Sequence, residues 1–593
     1  MSPPVIIRGL DIESSPQGGY TFIRASKGSY SVVAVNNAQL SEFPLFCSSA
    51  QASFPINMAV TSASLLFLST LISSLLLWVF ALSRRGKSIL HDLRGPESKS
   101  FWLGNQPEYM FQKGTGESEF KWMGAYGSAW RVRGCMGEDR LMVADPKALQ
   151  YILHASGHDF PKTPDVSHTI RMLIGDGIGC TEGEIHRRQR KVMAAAFSVP
   201  HLKAFLIQFQ FTASKLAQKW KDEIATDPNQ EPLLNVSEWL SRTTLDIIGE
   251  AGFDFDFGAL DNSHNPVTRM YDSLFVDSLY HGPLDALFES FWRYLPKPIL
   301  NLLVYLPRRE YRRFRNYLGS IREVARGIVR KSIVKGDGRD IMSVLLRAND
   351  SEDPRTKLSD NEVVDQISTL LLAGHDTSAN SLTWFFWELA KHPESARAIH
   401  EEIAAVRARI GSRDFSISDL EGMSTMVAAL KESMRLHPIV WQLSRVAANN
   451  DVIPLAFPII TKSGKQISAI PICKGTHIDM SFCSYSRLPE VWGEDADKWN
   501  PERFHQLDKE KQISLGLYAN LINFSGGIRG CLGWRFAIIE MQAIAAALLE
   551  NFEFSLPPQT PETQITRKPL RLMVPMVEGS FYPWMGLKVR YLE

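Results

Sequence analysis

A single cysteine, Cys531, lies in a glycine-rich segment of a kind that can present a sulfur atom for chemistry. The segment reads Phe524-Ser-Gly-Gly-Ile-Arg-Gly-Cys-Leu-Gly533. Apolar residues at helical spacing follow it, which predicts that Cys531 lies at or just before the start of a helix. Backbone N–H groups and the helix dipole at such a position favour a thiolate over a thiol. A thiolate held there can be a nucleophile or a haem ligand, and a buried cysteine without chemistry is the third interpretation.

A second segment that can do chemistry lies in the clearest predicted helix, Ser359 to about Lys391. A capping box, Ser-Asp-Asn-Glu, opens this helix, and its middle is apolar on nearly every face, as in a helix inside a large domain. The polar run Gly374-His-Asp-Thr377 interrupts that pattern. Buried polar residues are costly unless they have hydrogen-bond partners or a function. Either Asp376 and Thr377 bond to nearby backbone, or the helix kinks at Gly374 and turns the Thr377 hydroxyl toward a small polar ligand to deliver protons. The residues alone leave both interpretations open.

Three charged groups carry a weaker signal. Glu432 and Arg435 are three residues apart on a predicted helix that a proline ends, so their side chains share a face and can form an ion pair. The run His186-Arg-Arg-Gln-Arg190 opens another predicted helix, and Arg503 lies in a loop-like stretch before the cysteine segment. Such groups are usually solvated, and they gain a function only where something anionic lies between them.

Composition places the chain among large globular proteins. Its 593 residues are 45% hydrophobic and carry a formal net charge of +1. This gives ample material for a core and no electrostatic sign of nucleic acid or an acidic partner. The six cysteines lack the paired spacing of a disulfide framework or a metal-binding motif. That pattern favours a reducing compartment for the body of the protein.

An uncharged run from Met58 to Leu82 predicts a single membrane anchor. The run is long enough to cross a bilayer as a helix. Basic residues in Ser83-Arg-Arg-Gly-Lys87 follow it and place that side in the cytosol. A cleaved signal peptide fits less well, because the run is long and no basic segment precedes it. Residues 1–57 show no clear periodicity and are expected to be a weakly ordered extension or a segment upstream of a working start at Met58.

The rest of the chain is expected to be a hinge, residues 83–96, and one domain, residues 97–593. No internal repeat and no long polar linker divides this region. Helical patterns dominate, and short strand-like stretches occur at 139–144, 451–460, 569–575 and 586–591. The predicted fold class is therefore mainly α with small β-sheets.

Taken in order, these motifs resemble the cytochrome P450 family. They are Ala373-Gly-His-Asp-Thr377, Glu432-x-x-Arg435, Pro501-Glu-Arg-Phe504 and Phe524-x-x-Gly-x-Arg-x-Cys531-x-Gly533. The cysteine signature is highly specific and the threonine motif moderately so, while Glu-x-x-Arg is weak alone; the four in this order leave little room for coincidence. The resemblance covers essentially the whole chain after the anchor. The anchor and the basic run are similar to those of fungal enzymes of the endoplasmic reticulum.

The resemblance implies a role for each motif. Cys531 would be the axial thiolate ligand of haem iron, and Asp376 and Thr377 would guide protons to oxygen. Glu432, Arg435 and Arg503 would form a buried structural triad. Further residues at family positions would contact haem or clamp its propionates: Phe524, Gly527, Arg529, Gly533, Arg190, His186, Arg445, Ala373 and Gly374. His186 stands where the family often has tryptophan. The assignment of the family's haem-binding role to this residue is therefore the least direct of the set.

The implied protein is a haem-thiolate monooxygenase held in the endoplasmic reticulum membrane by one helix, with its catalytic domain in the cytosol. Electrons would come from an NADPH-cytochrome reductase, with cytochrome b5 as a further partner, because the chain has no convincing flavin or dinucleotide fingerprint. The substrate is expected to be a lipophilic small molecule, and a terpenoid-like secondary metabolite by analogy alone. The alternatives are an enzyme that isomerises or dehydrates without O₂ and a haem-binding membrane protein without turnover. The presence of Asp376 and Thr377 argues against both.

Overall fold

The computed structural model describes residues 89–155, 158–262, 282–335, 340–349, 357–506, 513–558 and 564–592, with short pieces before them and single positions between 263 and 281. The chain divides into two compact units, Met1–Leu75 and Leu76–Glu593. In the first, strands β1 (Leu10–Ser14), β2 (Tyr20–Ala25) and β3 (Val33–Asn36) form an antiparallel sheet in that order. The predicted anchor at 58–82 lies outside the described residues, apart from three isolated positions.

The second unit is mainly helical, which confirms the predicted fold class. Its helices, in chain order, are α1 (Gln106–Met110), α2 (Glu117–Tyr126), α3 (Pro146–Gln150), α4 (Pro164–Ile174), α5 (Gly183–Ala194), α6 (Val199–Thr226), α7 (Val236–Phe253), α8 (Pro283–Ser290), α9 (Lys297–Leu303), α10 (Arg309–Lys335), α11 (Ile341–Asn349), α12 (Asp360–Lys391), α13 (Pro393–Ile410), α14 (Ile417–Gly422), α15 (Ser424–Leu436), α16 (Phe482–Tyr485), α17 (Pro489–Trp492), α18 (Arg503–Gln506) and α19 (Trp534–Leu549). Short loops and small sheets connect them.

The strands of this unit form small sheets. The largest has the order β4 (Ala129–Arg133), β5 (Asp139–Val143), β10 (His477–Ser481), β7 (Gln442–Val446), with β5 and β10 parallel. The others are the hairpin β8 (Asp451–Ile460) with β9 (Gln466–Ile472), the sheet β11 (Phe552–Ser555), β14 (Gly586–Tyr591), β6 (Leu233–Asn235), and the hairpin β12 (Ile565–Pro569) with β13 (Met573–Val577).

One predicted strand is wrong. The apolar stretch 569–575 was expected to be a single strand, but β12 ends at Pro569 and β13 begins at Met573. Leu570 and Leu572, whose apolar character suggested a strand, belong to the turn of the hairpin. Both residues line a cavity. Their apolar character therefore reflects a position in the cavity wall and not on the face of a strand.

Helix α12 organises the core around it. It packs against α7, α10, α15 and α19, which is why nearly all of its faces are apolar. The predicted capping box is confirmed: the Ser359 hydroxyl accepts from the Glu362 N–H, and the Glu362 carboxylate accepts from the Ser359 N–H at 2.9 Å. The helix runs through Gly374 without interruption. A Cβ at Gly374 would lie 3.0 Å from the Ile248 side chain of α7, so glycine permits the close approach of the two helices.

Within the described part of the chain, no single helix combines the length and apolar composition needed to cross a membrane. One bent pair, Gly183–Phe197 with Val199–Thr226, meets both criteria together, and its two segments form an angle of 58°. The second segment buries Phe205, Leu216 and other apolar residues in the domain. Core packing therefore accounts for the apolar composition of that pair.

Candidate active site

The cysteine segment forms a tight loop at the start of α19. Two short 3-10 turns precede Cys531, and α19 begins three residues after it. The Cys531 N–H donates to the Phe524 carbonyl at 2.9 Å and closes the loop. Gly527 has a φ of 63°, and a Cβ there would lie 1.8 Å from the Leu153 carbonyl oxygen. Only glycine fits that position, so the glycines of the motif shape the loop that holds the sulfur.

Burial raises the pKa of the Cys531 thiol, while the Gly533 N–H and the Arg190 guanidinium act in the opposite direction. The thiolate expected from the helix start is therefore wrong for the polypeptide alone, because desolvation outweighs both stabilising groups. The side chain lies deep in the domain and is nevertheless accessible to solvent, so it faces an internal space. A raised pKa argues against a free nucleophile, whereas a coordinated metal ion deprotonates a thiol outright.

Basic side chains gather beside this loop from four stretches of the chain. We call them the cation cluster: Lys162, His186, Arg190, Arg445 and Arg529. Arg190 of α5 donates to the Gly530 carbonyl at 2.7 Å. Arg445 of β7 is brought near Lys162 by a hydrogen bond from the Val446 N–H to the Pro161 carbonyl at 3.0 Å. Arg529 forms an ion pair with Glu182, the residue that precedes α5.

The cation cluster has too few carboxylates of its own. Glu182 pairs with Arg529 and Lys162, and among the described residues no carboxylate forms an ion pair with Arg190 or Arg445. Burial lowers the pKa of Arg445 to about 10. Burial, with Arg529 and Arg445 nearby, lowers the pKa of Lys162 to about 7. Buried positive charge of this kind is costly unless an anionic group binds it.

His186 completes the cluster as a neutral donor. It is buried on α5, and burial, with Lys162 and Arg190 adding to it, lowers its pKa to about 4. The ring is therefore uncharged at neutral pH. A neutral imidazole N–H can still donate a hydrogen bond to a carboxylate, so the departure from tryptophan preserves a donor at this position.

The polar run of α12 is bonded within the helix. The Thr377 hydroxyl donates to the Ala373 carbonyl at 2.8 Å, and the His375 Nε2 lies 3.1 Å from Asp376 Oδ1. The Thr244 hydroxyl of α7 donates to the His375 carbonyl at 3.0 Å. These contacts fit the interpretation that needs no ligand. However, Ala373 and Thr377 share one face, and Ala373 is exposed although most of α12 is buried, so that face borders an internal space.

Helices α12 and α19 meet at Ser378 and Glu540, which are both buried. Burial raises the pKa of Glu540 to about 8 and outweighs the opposite effect of the nearby Ser378 hydroxyl. Neither carboxyl oxygen of Glu540 meets hydrogen-bond geometry with a described residue. This contact ties the residue after Thr377 to the helix that follows Cys531. The carboxyl is mostly protonated at neutral pH.

Glu432, Arg435 and Arg503 form a second buried ion cluster, which we call the buried triad. Arg435 holds Glu432 through two hydrogen bonds of 2.8 and 2.7 Å, and both side chains are 0% exposed. Arg503 Nε lies 3.4 Å from the same carboxylate. The other donors of Arg435 reach the carbonyls of Ser486, Ala496 and Lys498. The ion pair is therefore fully paired inside the protein and not solvated.

Haem fits the residues around Cys531. Its iron takes a thiolate ligand, and its two propionates would supply the negative charge that the cation cluster lacks. Arg190, Arg445, Arg529, Lys162 and His186 offer the donors for those carboxylates, and Cys531 faces the internal space beside them. A mainly helical domain with this site is that of a haem-thiolate protein.

Known proteins place the chain in one family. Residues 94–581 match the family model described as cytochrome P450. The cytochrome P450 monooxygenases claQ and claP of Ampulloclitocybe clavipes are each 30% identical to it, over 521 and 540 residues, covering 86% and 89% of this chain and 95% and 98% of the relatives. Cytochrome P450 monooxygenase 91 of Postia placenta is 29% identical over 529 residues, covering 85% of this chain and 94% of the relative. The chain belongs to the cytochrome P450 family: it is an oxidoreductase with haem iron as its cofactor.

The sequence did not reveal three residues of this region. Lys162 and Glu182 belong to no motif, and only the pairing of β7 with the stretch at Pro161 brings Lys162 to the site. Glu540 did leave a signal, because a carboxylate in the otherwise apolar middle of α19 is a buried charge that requires a reason.

Proposed function

We propose that this protein is a monooxygenase that inserts one atom of O₂ into a lipophilic small molecule. NADPH supplies two electrons, so a substrate C–H, O₂, NADPH and a proton give C–OH, water and NADP⁺. When bound, the haem supplies the activation of O₂, and its thiolate ligand favours O–O cleavage. The observation that carries the proposal is the position of Cys531 in a loop closed by Phe524 and Gly527, beside cations without matching carboxylates. A terpenoid-like secondary metabolite is the substrate class we propose by analogy with fungal enzymes.

Asp376 and Thr377 are the residues we assign to proton delivery. The Thr377 hydroxyl donates its hydrogen bond to the Ala373 carbonyl. Its oxygen can therefore accept a hydrogen bond from a group on the haem side. Asp376 lies beside His375 and can exchange protons with solvent through its partly exposed carboxyl. Formation of water requires two protons, so this pair determines whether reduced oxygen is used productively.

The test compares cells that make this protein and a reductase with cells that make its Thr377→Ala variant. We expect O₂-dependent products that gain one oxygen atom with the unmodified protein. The variant should keep haem but lose most product and release hydrogen peroxide from the NADPH that it consumes. Product that forms without NADPH or O₂ would favour isomerisation or dehydration. Absence of both product and NADPH consumption would favour a haem protein without turnover.

The electron donor is proposed to dock on a basic surface next to the cysteine loop. Arg187 and Lys191 are exposed on α5, one turn apart, and Arg535 is exposed at the start of α19. The formal net charge of the chain is only +1, but this local positive charge suits the acidic surface of a reductase or of cytochrome b5. Lys191→Glu and Arg535→Glu should raise the KM for the NADPH-cytochrome reductase several-fold and weaken its salt dependence. Lys121→Glu, on the exposed face of α2, is the control and should leave that KM unchanged.

A single-pass anchor in the endoplasmic reticulum membrane, with a cytosolic catalytic domain, is the proposed location. Besides the apolar run at 58–82, an exposed stripe of Ile299, Leu302 and Tyr305 supports contact with a membrane. A protein without residues 1–82 should still bind haem and should associate weakly with vesicles. Leu302→Glu combined with Tyr305→Glu should abolish that residual association. A shortened protein that binds no haem would show that the anchor boundary is wrong.

A further inference from the structure

A cavity of about 320 Å³ lies between the first turns of α7, the middle of α12 and the β12–β13 hairpin. Asp376, Ala379 and Asn380 contribute the wall on the side of α12, and their spacing places them on one face of that helix. Neither Thr377 nor Cys531 lines it. The cavity therefore adjoins the segment that we assign to proton delivery but occupies a neighbouring face of the helix.

One wall of this cavity carries polar groups that lack a hydrogen-bond partner among the described residues. Ser237 and Ser241 lie one turn apart on α7, and neither hydroxyl bonds to another described residue. Asn380 is only 8% exposed; its amide nitrogen donates to the Asp376 carbonyl at 2.8 Å, but its amide oxygen is buried without a donor. The oxygen is covered by neighbouring protein atoms, so a ligand hydroxyl reaches it once the Asn380 amide turns toward the cavity. That contact would recover the free energy that a buried acceptor without a donor costs.

The opposite wall is apolar. Leu572, Val574 and Met576 of the β12–β13 hairpin face the polar wall. A purely polar ligand would leave this surface without a partner, and a hydrocarbon would leave the Asn380 oxygen unsatisfied. Asp376 and Glu238 also line the cavity, and Glu238 forms an ion pair with Arg242. No basic residue lines it, so the lining disfavours an anionic ligand. The chemistry of both walls together suits a neutral amphipathic molecule.

We propose that this cavity binds a neutral, lipophilic alcohol whose hydroxyl donates to the amide oxygen of Asn380. The inference rests on the proposed monooxygenase function and narrows its ligand class. Such an alcohol is either an incoming substrate, which an earlier oxygenation or hydration must supply, or the product of this enzyme on its way out. Both sources share the same recognition chemistry.

The experiment measures binding of cyclododecanol and cyclododecanone to the holoprotein by calorimetry. The two molecules have nearly the same size, but only the alcohol can donate a hydrogen bond. We expect the alcohol to bind about three- to tenfold more tightly than the ketone, the range of one hydrogen bond. Asn380→Leu should remove this preference. Thr383→Val, which replaces a buried hydroxyl of α12 that bonds within the helix, should keep it.

Equal affinity of the unmodified protein for alcohol and ketone would overturn the proposal, as would a preference that survives Asn380→Leu. Cyclododecanecarboxylic acid should bind more weakly than the alcohol, and equally tight binding would contradict the predicted role of the two carboxylates. If Asn380→Leu does not fold, Leu572→Trp fills the cavity and should abolish binding of both ring compounds.

These binding measurements need no turnover, so their outcome does not depend on whether the monooxygenase assignment is correct. With reductase, NADPH and O₂ added, conversion of the alcohol to a diol identifies an incoming substrate, and its persistence identifies a departing product.

Discussion

The buried triad and the cation cluster both place arginine side chains inside the protein, but they are completed in different ways. In the triad, Arg435 uses all of its donors on Glu432 and on backbone carbonyls. In the cation cluster, Arg445 is almost as deeply buried, yet its donors reach only the Ser444 carbonyl among the described residues. A charged group that the polypeptide satisfies by itself supports the fold. A charged group that it leaves unmatched indicates a ligand.

The same contrast separates two buried carboxyls. Glu432 accepts from Arg435, Arg503 and the Asn500 N–H. Glu540 forms no ion pair with any described residue, and burial raises its pKa to about 8. Each carboxyl takes the protonation state that its surroundings permit. The comparison therefore predicts different responses to mutation and to pH at sites that the sequence alone presents as similar.

The largest effect is expected from Arg435→Ala. The change removes the two short hydrogen bonds that hold the buried Glu432 and leaves it the 3.4 Å contact with Arg503 and the Asn500 N–H. Loss of one partner of a buried ion pair costs about 3–5 kcal/mol of unfolding free energy. We expect little folded protein, measured by the yield of soluble holoprotein and by thermal melting. Arg590→Ala removes an exposed pair with Glu553 and is the control, with a cost of about 1 kcal/mol or less. A normal yield of Arg435→Ala would contradict the structural role of the triad.

Arg445→Leu should show the opposite pattern. Removal of a buried, unmatched charge should leave the thermal stability of the haem-free protein unchanged or raise it. Haem affinity should fall about 10- to 100-fold, the range for loss of a supporting contact at a metal site. Titration of the haem-free protein with haem measures this, and Arg445→Lys should recover part of the loss. Destabilisation of the haem-free protein as severe as in Arg435→Ala would assign the cluster to the fold instead.

A smaller effect is expected at Glu540. Unfolding returns its pKa from about 8 to the ordinary value of 4.5, so between these pH values the folded state holds more protons than the unfolded state. The free energy of unfolding therefore falls as the pH rises through that range. Glu540→Gln should remove a loss on the order of 3–4 kcal/mol between pH 5 and pH 8. Melting curves of both proteins at the two pH values test this, and parallel pH profiles would show that Glu540 is ionised in the folded protein.

Much of this organisation could be predicted from the sequence, and the reasons for the failures are physical. The capping box and apolar run located α12, and the glycines around Cys531 located the cysteine loop, because both depend on local geometry. The burial of Glu432 and Arg435 was expected only from the family resemblance, since their spacing alone is equally suited to a solvated pair. Lys162 was missed because it enters the site through strand pairing between distant segments. The raised pKa of the Cys531 thiol without bound haem was not predicted, because desolvation depends on the surrounding fold and not on the helix start.

We assign Cys531 as the thiolate ligand of the haem, and the spectrum of the reduced carbonyl complex is the sharpest test of this assignment. The unmodified protein should show the red-shifted Soret band of a thiolate-ligated haem. Cys531→Ala should lose that band. Cys483→Ala, which replaces another buried cysteine with a pKa raised to about 12 by burial, should retain it. A Cys531→Ala protein that keeps the red-shifted band would contradict the assignment.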